Sequence, residues 1–184
     1  MRAGRMAHAR RIVIKVGSST LACADGGLDR AYVETLVAQI AELRRGGASV
    51  VLVTSGAISA GLEALGMETK PTDIPSLQAA AAVGQVQLVG MYAAFFAMEE
   101  VPVGQVLVTR HDTADRQAYL HARDTLERLL ALDVVPVVNE NDTTAVEEIR
   151  FGDNDYLAAL VGMMVHADVV VLLTDIEGLY TADP

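Results

Sequence analysis

Arg11-Ile12-Val13-Ile14-Lys15-Val16-Gly17-Ser18-Ser19, residues 11–19, is the stretch whose reading decides the fold. A β-branched run closes on one lysine and then on three small residues, which predicts a buried strand feeding a tight loop. Its interior is continuously apolar, the pattern of a strand covered on both faces. Downstream, Asp29 stands at a helix N-cap position. Val33, Leu36, Val37, Ile40 and Leu43 follow at helical spacing, and Gly46-Gly47 supplies the stop. The alternation then repeats: a strand over 49–53, a helix running to Gly66, a proline-containing loop over 70–75 and a long helix over 76–98. A strand over 103–109, a helix over 117–131 and a strand over 134–138 follow. A hairpin-like strand over 146–151, a helix over 155–166 and a last buried strand over 168–173 complete the pattern. Such alternation predicts an α/β fold: a mostly parallel open sheet with helices on both faces, a three-layer sandwich.

With 184 residues, 52% of them apolar, the chain can bury a substantial core. Its formal net charge of −10 argues against non-specific binding to nucleic acid or to an anionic membrane surface. A small anion can still be held by a local nest of backbone N–H groups. The single cysteine, Cys23, excludes a disulfide within the chain and a cysteine metal cluster. His8, His111, His121 and His166 show no ligand spacing and read as surface or packing residues, so no protein metal site is expected. Residues 1–10 read as a mobile basic tail, not a signal peptide. Residues 74–98 carry no formal charge and are long enough to span a bilayer. Gln78, Gln85, Gln87, Gly84 and Gly90 interrupt them, so the reading is a buried or subunit-facing helix and no membrane span.

Ligands of open α/β sheets bind beyond the carboxyl ends of the strands. The polar and glycine-rich clusters of this chain fall there: 15–19, 54–57, 139–142 and 174–175, with 152–155 opening a helix. Any one of these could be turn or capping chemistry; together they mark one rim. Neither GxxxxGK[ST] nor GxGxxG is present. Lys15 has two readings from the residues alone: a strand-end lysine extending to water, or a cation folded over a loop whose N–H groups face an anion. Ser55-Gly56-Ala57 is either a serine N-cap with a packing glycine or an approach to a helix N-terminus that favours negative charge. Asp142, Asn154 and Asp155 bring further polar groups, suited to a ligand ammonium or to Asx-turn duty. At this level the chain is an α/β protein with a candidate anion site.

Seven segments carry a resemblance: IKVGSS (14–19), VTSGAISAG (53–61), AAVGQ (81–85), ARDTL (122–126), VPVVNENDT (135–143), FGDNDYLAALV (151–161) and LLTDIEGLYTADP (172–184). In this order they are similar to the glutamate 5-kinases of the amino acid kinase superfamily. The resemblance spans residues 11–184, and NEND followed by FGDND and TDIEGLYTADP is its most specific part. It implies an amino acid kinase domain over 11–184, with the nucleotide lobe beginning near residue 168. It implies ATP- and Mg²⁺-dependent phosphorylation of the side-chain carboxylate of L-glutamate, the first step of proline synthesis. Cytoplasmic location, self-association and feedback inhibition by proline are implied as well. By residue, it implies Lys15 at the ATP phosphates as a catalytic cation. Asp155 would be a second catalytic residue, holding glutamate or orienting the lysine. Ser55, Gly56, Ala57, Asp142 and Asn154 would contact glutamate, and Gly17, Ser18, Thr174 and Asp175 would contact ATP. Members continue beyond the point matching Pro184, so the chain alone is expected to hold glutamate without turning it over. A binding fragment without catalysis, and a relative acting on another carboxylate, are the alternatives.

Overall fold

In the computed structural model, which describes residues 8–23, 27–109, 112, 114–144 and 154–174, the apolar runs become one five-stranded sheet. Its strands are β1 (Arg11–Val16), β2 (Ser49–Val53), β3 (Val103–Val108), β4 (Val135–Glu140) and β5 (Val169–Leu173). They lie in the order β3-β4-β2-β1-β5, and every pairing is parallel. The helices are α1 (Ser18–Leu21), α2 (Arg30–Arg45), α3 (Ala57–Ala64), α4 (Ile74–Met98), α5 (Arg116–Ala131) and α6 (Asn154–Met164).

Strand parity divides the core in two. Ile12, Ile14, Val16, Val50, Leu52, Val135 and Val137 face one way, onto α2 and α4. Val13, Val51, Val53, Val108 and Val138 face the other way, with Leu126 of α5 and Leu157, Ala158 and Val161 of α6. Both faces of the central strands are therefore dry, which is why their sequences lack polar alternation. The uncharged helix α4 passes the length and composition test for a membrane span. In the fold its Leu88, Tyr92 and Phe96 are fully buried against the sheet, so one face of it belongs to the core, while Val86 and Met98 are exposed.

Several boundaries differ from the sequence expectation. The loop after β1 contains the one-turn helix α1. Helix α4 starts at Ile74, two residues early, because Asp73 caps Ser76 N–H and Pro75 sits in the first turn, where its missing N–H is tolerated. Strand β4 runs two residues further than expected, so Asn139 and Glu140 belong to the sheet edge itself. The proposed basic tail is anchored at its end: Arg10 N–H donates to the Asp168 carboxylate at 2.8 Å. The two N–H bonds from Arg10 and Arg11 hold the Asp168 carboxyl below its ordinary pKa. The expected strand over 146–151 lies outside the described residues.

Helix α3 crosses α4 backbone to backbone. A Cβ on Gly61 would overlap the Ala80 carbonyl, and one on Gly84 would overlap the Ala57 carbonyl and the Gly61 nitrogen. Two glycines at the crossing thus set how closely α3 approaches, and with it where the first turn of α3 sits on the rim. Gly84→Ala in the intact protein is expected to destabilise by about 3 kcal/mol or more, since neither backbone can yield as a side chain would. Urea unfolding checks it; a change within about 0.5 kcal/mol, the ordinary surface range, would show that the helices part freely.

Candidate functional site

The carboxyl ends of β1, β2 and β4 come to one rim, and parity decides what each presents. Thr54 continues the Val50–Leu52 face, toward α4. Its hydroxyl donates to the Ser55 carbonyl at 3.2 Å and lies 2.9 Å from the Tyr92 hydroxyl. With its single proton so used, Thr54 accepts from Tyr92. Burial pushes the Tyr92 phenol far above its usual pKa, so it stays a hydroxyl.

The amide of Asn154, the first residue of α6, closes the rim. Its Nδ2 donates to the Thr54 carbonyl at 2.7 Å, to Ser55 Oγ at 2.7 Å and to Asn139 Oδ1 at 3.1 Å, two hydrogens shared among three acceptors. A backbone carbonyl can only accept, so chemistry fixes the orientation of this amide. Asn139 passes the pattern on, its Nδ2 donating to Gln85 Oε1 of α4 at 2.9 Å. Thr54, Asn139 and Asn154 are 0%, 2% and 6% exposed, and they are the buried polar residues of the described chain. That all three meet in one network marks this rim as a place where apolar packing has been given up for polar placement.

Lys15 lies on the opposite parity, toward α6. Its ammonium forms an ion pair with Asp155 Oδ1 at 2.5 Å. A Cβ built on Gly17 would lie 3.3 Å from Lys15 Nζ, so the lysine folds back over the glycine loop and does not run out to water. The geometry does not match a strand-end lysine extending to water. Gly56, with φ 98°, adopts the left-handed conformation at the N-cap of α3 and caps nothing through a side chain. Ser55 is therefore not the N-cap; its hydroxyl accepts from Asn154 instead.

A cavity of about 130 Å³ sits inside this rim. Ser18, Ser55, Gly56, Ala57, Asp142 and Asn154 all line it, so six of the sequence-derived candidates converge. Lys15, Asp155 and Gly17 stand together beside it through the contacts just described. Thr174 follows Leu173, which pairs with Val16, and so leaves the sheet next to Gly17. Asp175, Gly152 and Asp153 lie outside the described residues. Sequence reasoning passed over Gln85 and Tyr92 as site supports and Lys70 as a lining residue; it placed Thr54, Asn139 and Glu140 in the rim clusters without giving them roles of their own. Gln85 left the clearest trace, a glutamine within an uncharged helix. Among the described residues no group of three or more His, Cys, Asp or Glu is placed to hold a metal ion.

The model of the amino acid kinase family matches residues 10–184. A glutamate 5-kinase of Salinispora arenicola is 54% identical over 180 residues, 98% of this chain and 49% of that protein. One from Moorella thermoacetica is 55% identical over 179 residues, 97% of this chain and 47% of its own length. One from Geobacter sp. is 47% identical over 184 residues, 100% of this chain and 49% of its own length. The chain spans about half the length of the curated relatives it matches.

Asn154→Asp tests the amide network without changing volume. A carboxylate there would oppose the Thr54 carbonyl and Asn139 Oδ1 with no proton to offer. The expected cost at pH 7 is about 2 kcal/mol or more, from buried acceptors left unsatisfied. The introduced acid would have a raised folded-state pKa, because only its neutral form can donate to Thr54. The deficit should therefore shrink as pH falls toward the unfolded carboxyl value of about 3.9. Melting of variant and parent at pH 7 and pH 4 reads this; equal deficits at both would contradict the assigned orientation.

Proposed function

The chain belongs to the amino acid kinase family, and from that premise we propose that it carries the acid-substrate site of an enzyme transferring the γ-phosphoryl group of ATP to the side-chain carboxylate of L-glutamate. The observation that carries the reading is the Asn154 network, which sets Ser55, Asn139 and Asn154 around a cavity also lined by Asp142. The names of the relatives, all glutamate 5-kinases, agree with it. On this reading residues 11–184 form the kinase domain, with its nucleotide lobe starting near residue 168. Proline would act as feedback inhibitor, copies of the chain would associate, and the enzyme would work in the cytoplasm.

The residues then divide the work. An oxygen of the glutamate side-chain carboxylate attacks the γ-phosphorus; the new O–P bond forms as the bond to the ADP oxygen breaks, and ADP leaves with its electron pair. The nucleophile is already an anion, so no general base is required. The barrier lies in holding two anions together in line. Lys15, steadied by Asp155 and folded over Gly17, supplies positive charge where the phosphoryl oxygens gather it. Asp142 and Asn154 hold the amino acid. Gly17, Ser18, Thr174 and Asp175 would border the nucleotide. Mg²⁺ would arrive on the phosphates, taking most ligands from them and from water, and would supply further charge neutralisation.

A coupled ADP-release assay of the intact protein with L-glutamate, L-aspartate, N-acetylglutamate and UMP tests the assignment. Glutamate-dependent release is expected; greater activity on N-acetylglutamate would overturn it. Ligand-induced stabilisation by glutamate without ADP release would identify a binding module instead.

Two substitutions separate the roles. Lys15→Ala should keep the melting temperature and lower turnover on the order of 10²–10³-fold, as loss of one preorganised donor typically does. A destabilised protein with near-normal turnover would return Lys15 to a structural role. Asp142→Ala should raise the KM for glutamate far more than that for ATP, because a buried ammonium needs an acidic partner. Equal effects on both would assign Asp142 to the fold.

A further inference from the structure

Among the described residues, one cation lines the cavity: Lys70, on the connection between α3 and α4, borders it together with Ser55, Asp142 and Asn154. Its side chain is exposed, and among the described residues no carboxylate forms an ion pair with it. The remaining lining is rich in acceptors. Asn154 spends its N–H bonds on Thr54, Ser55 and Asn139, so what it retains for a ligand is Oδ1, an acceptor. Glu140 and Asp142 add two carboxylates.

Acceptors of this kind suit an ammonium and repel a carboxylate. An amino acid with an acidic side chain brings one ammonium and two carboxylates. For transfer, the side-chain carboxylate has to reach the Lys15 end of the rim. The α-carboxylate is then left near Glu140 and Asp142, and among the described lining residues Lys70 is the cation that can offset it. We propose that Lys70 binds the α-carboxylate of the substrate and is a specificity-determining residue: it fixes which carboxylate of the amino acid is turned toward the phosphoryl group. This rests on the acid-substrate reading above. A lysine serves here because a point charge on a flexible stem can follow the ligand as it seats, where a bidentate fork would impose one geometry.

The test uses the intact protein, its Lys70→Met and Lys70→Arg variants, and two acceptors: L-glutamate and its α-amide, which keeps the ammonium and the side-chain carboxylate. Lys70→Met should raise the KM for glutamate on the order of 10-fold, the loss of one charge-assisted contact. The kcat, the KM for ATP and the melting temperature should stay near those of the parent. The α-amide should be a poorer substrate than glutamate for the parent, and Lys70→Met should leave it nearly unaffected, so discrimination between the two collapses. Lys70→Arg should restore most of it. An unchanged glutamate KM in Lys70→Met, or an equal loss on both acceptors, would overturn the proposal while leaving the glutamate reading intact. A parent that uses the α-amide as well as glutamate would overturn it without recourse to any variant. A parent that turns over no glutamate would remove the reading itself, and this proposal with it.

Discussion

The amide of Asn154 is the tie on which the rim depends. Three segments far apart in the chain, the end of β2, the end of β4 and the start of α6, meet at one nitrogen atom. Two of the partners, the Thr54 carbonyl and Asn139 Oδ1, belong to residues that burial has cut off from water, so each would be costly if left alone. The cost makes the arrangement specific: no apolar residue satisfies the Thr54 carbonyl, and an acid satisfies it only when protonated. Behind it, Tyr92 and Gln85 extend the network onto α4, so the rim is braced from the side opposite α6.

Close helix packing supports this brace. Gly61 and Gly84 let α3 and α4 touch through their backbones, with the Ala57 carbonyl at the contact. Ala57 opens α3 and also lines the cavity. The position of the ligand-facing turn is therefore set by a crossing of uncharged backbone. Gly56 completes the turn in a left-handed conformation, with Leu28 and Leu21 packed where a Cβ would stand. The packing link and the site link share these residues.

Much of this was legible in the sequence. Continuous β-branched runs gave away a parallel sheet buried on both faces, and the polar clusters after them gave away the rim. Period-2 parity also separates Lys15, facing α6, from Ile14 and Val16, facing α2 and α4. What stayed hidden were partners chosen by tertiary geometry. Asn139 looked like the start of a loop, yet it is the fifth residue of β4 and bonds across to α4. Tyr92, within the helix read only as buried or subunit-facing, bonds to the Thr54 hydroxyl. Lys70 lay in a proline-containing connection with no periodic signal, and only the folded path of that connection brings it to the cavity. Ser55 had the residue type of an N-cap, but the adjacent Gly56 took that place and freed its hydroxyl.

The central claim is that the acceptor held at this rim is a side-chain carboxylate, so the product must be an acyl phosphate. Such a mixed anhydride is attacked by hydroxylamine at its carbonyl carbon, giving a stable hydroxamate and releasing phosphate. The most direct measurement is therefore to run the intact protein with ATP, L-glutamate and hydroxylamine and to identify the hydroxamate by mass and by fragmentation. The account predicts a hydroxamate on the side-chain carbon, formed in proportion to ADP and absent without glutamate. ADP release with no hydroxamate, or a hydroxamate on the α-carbon, would contradict it.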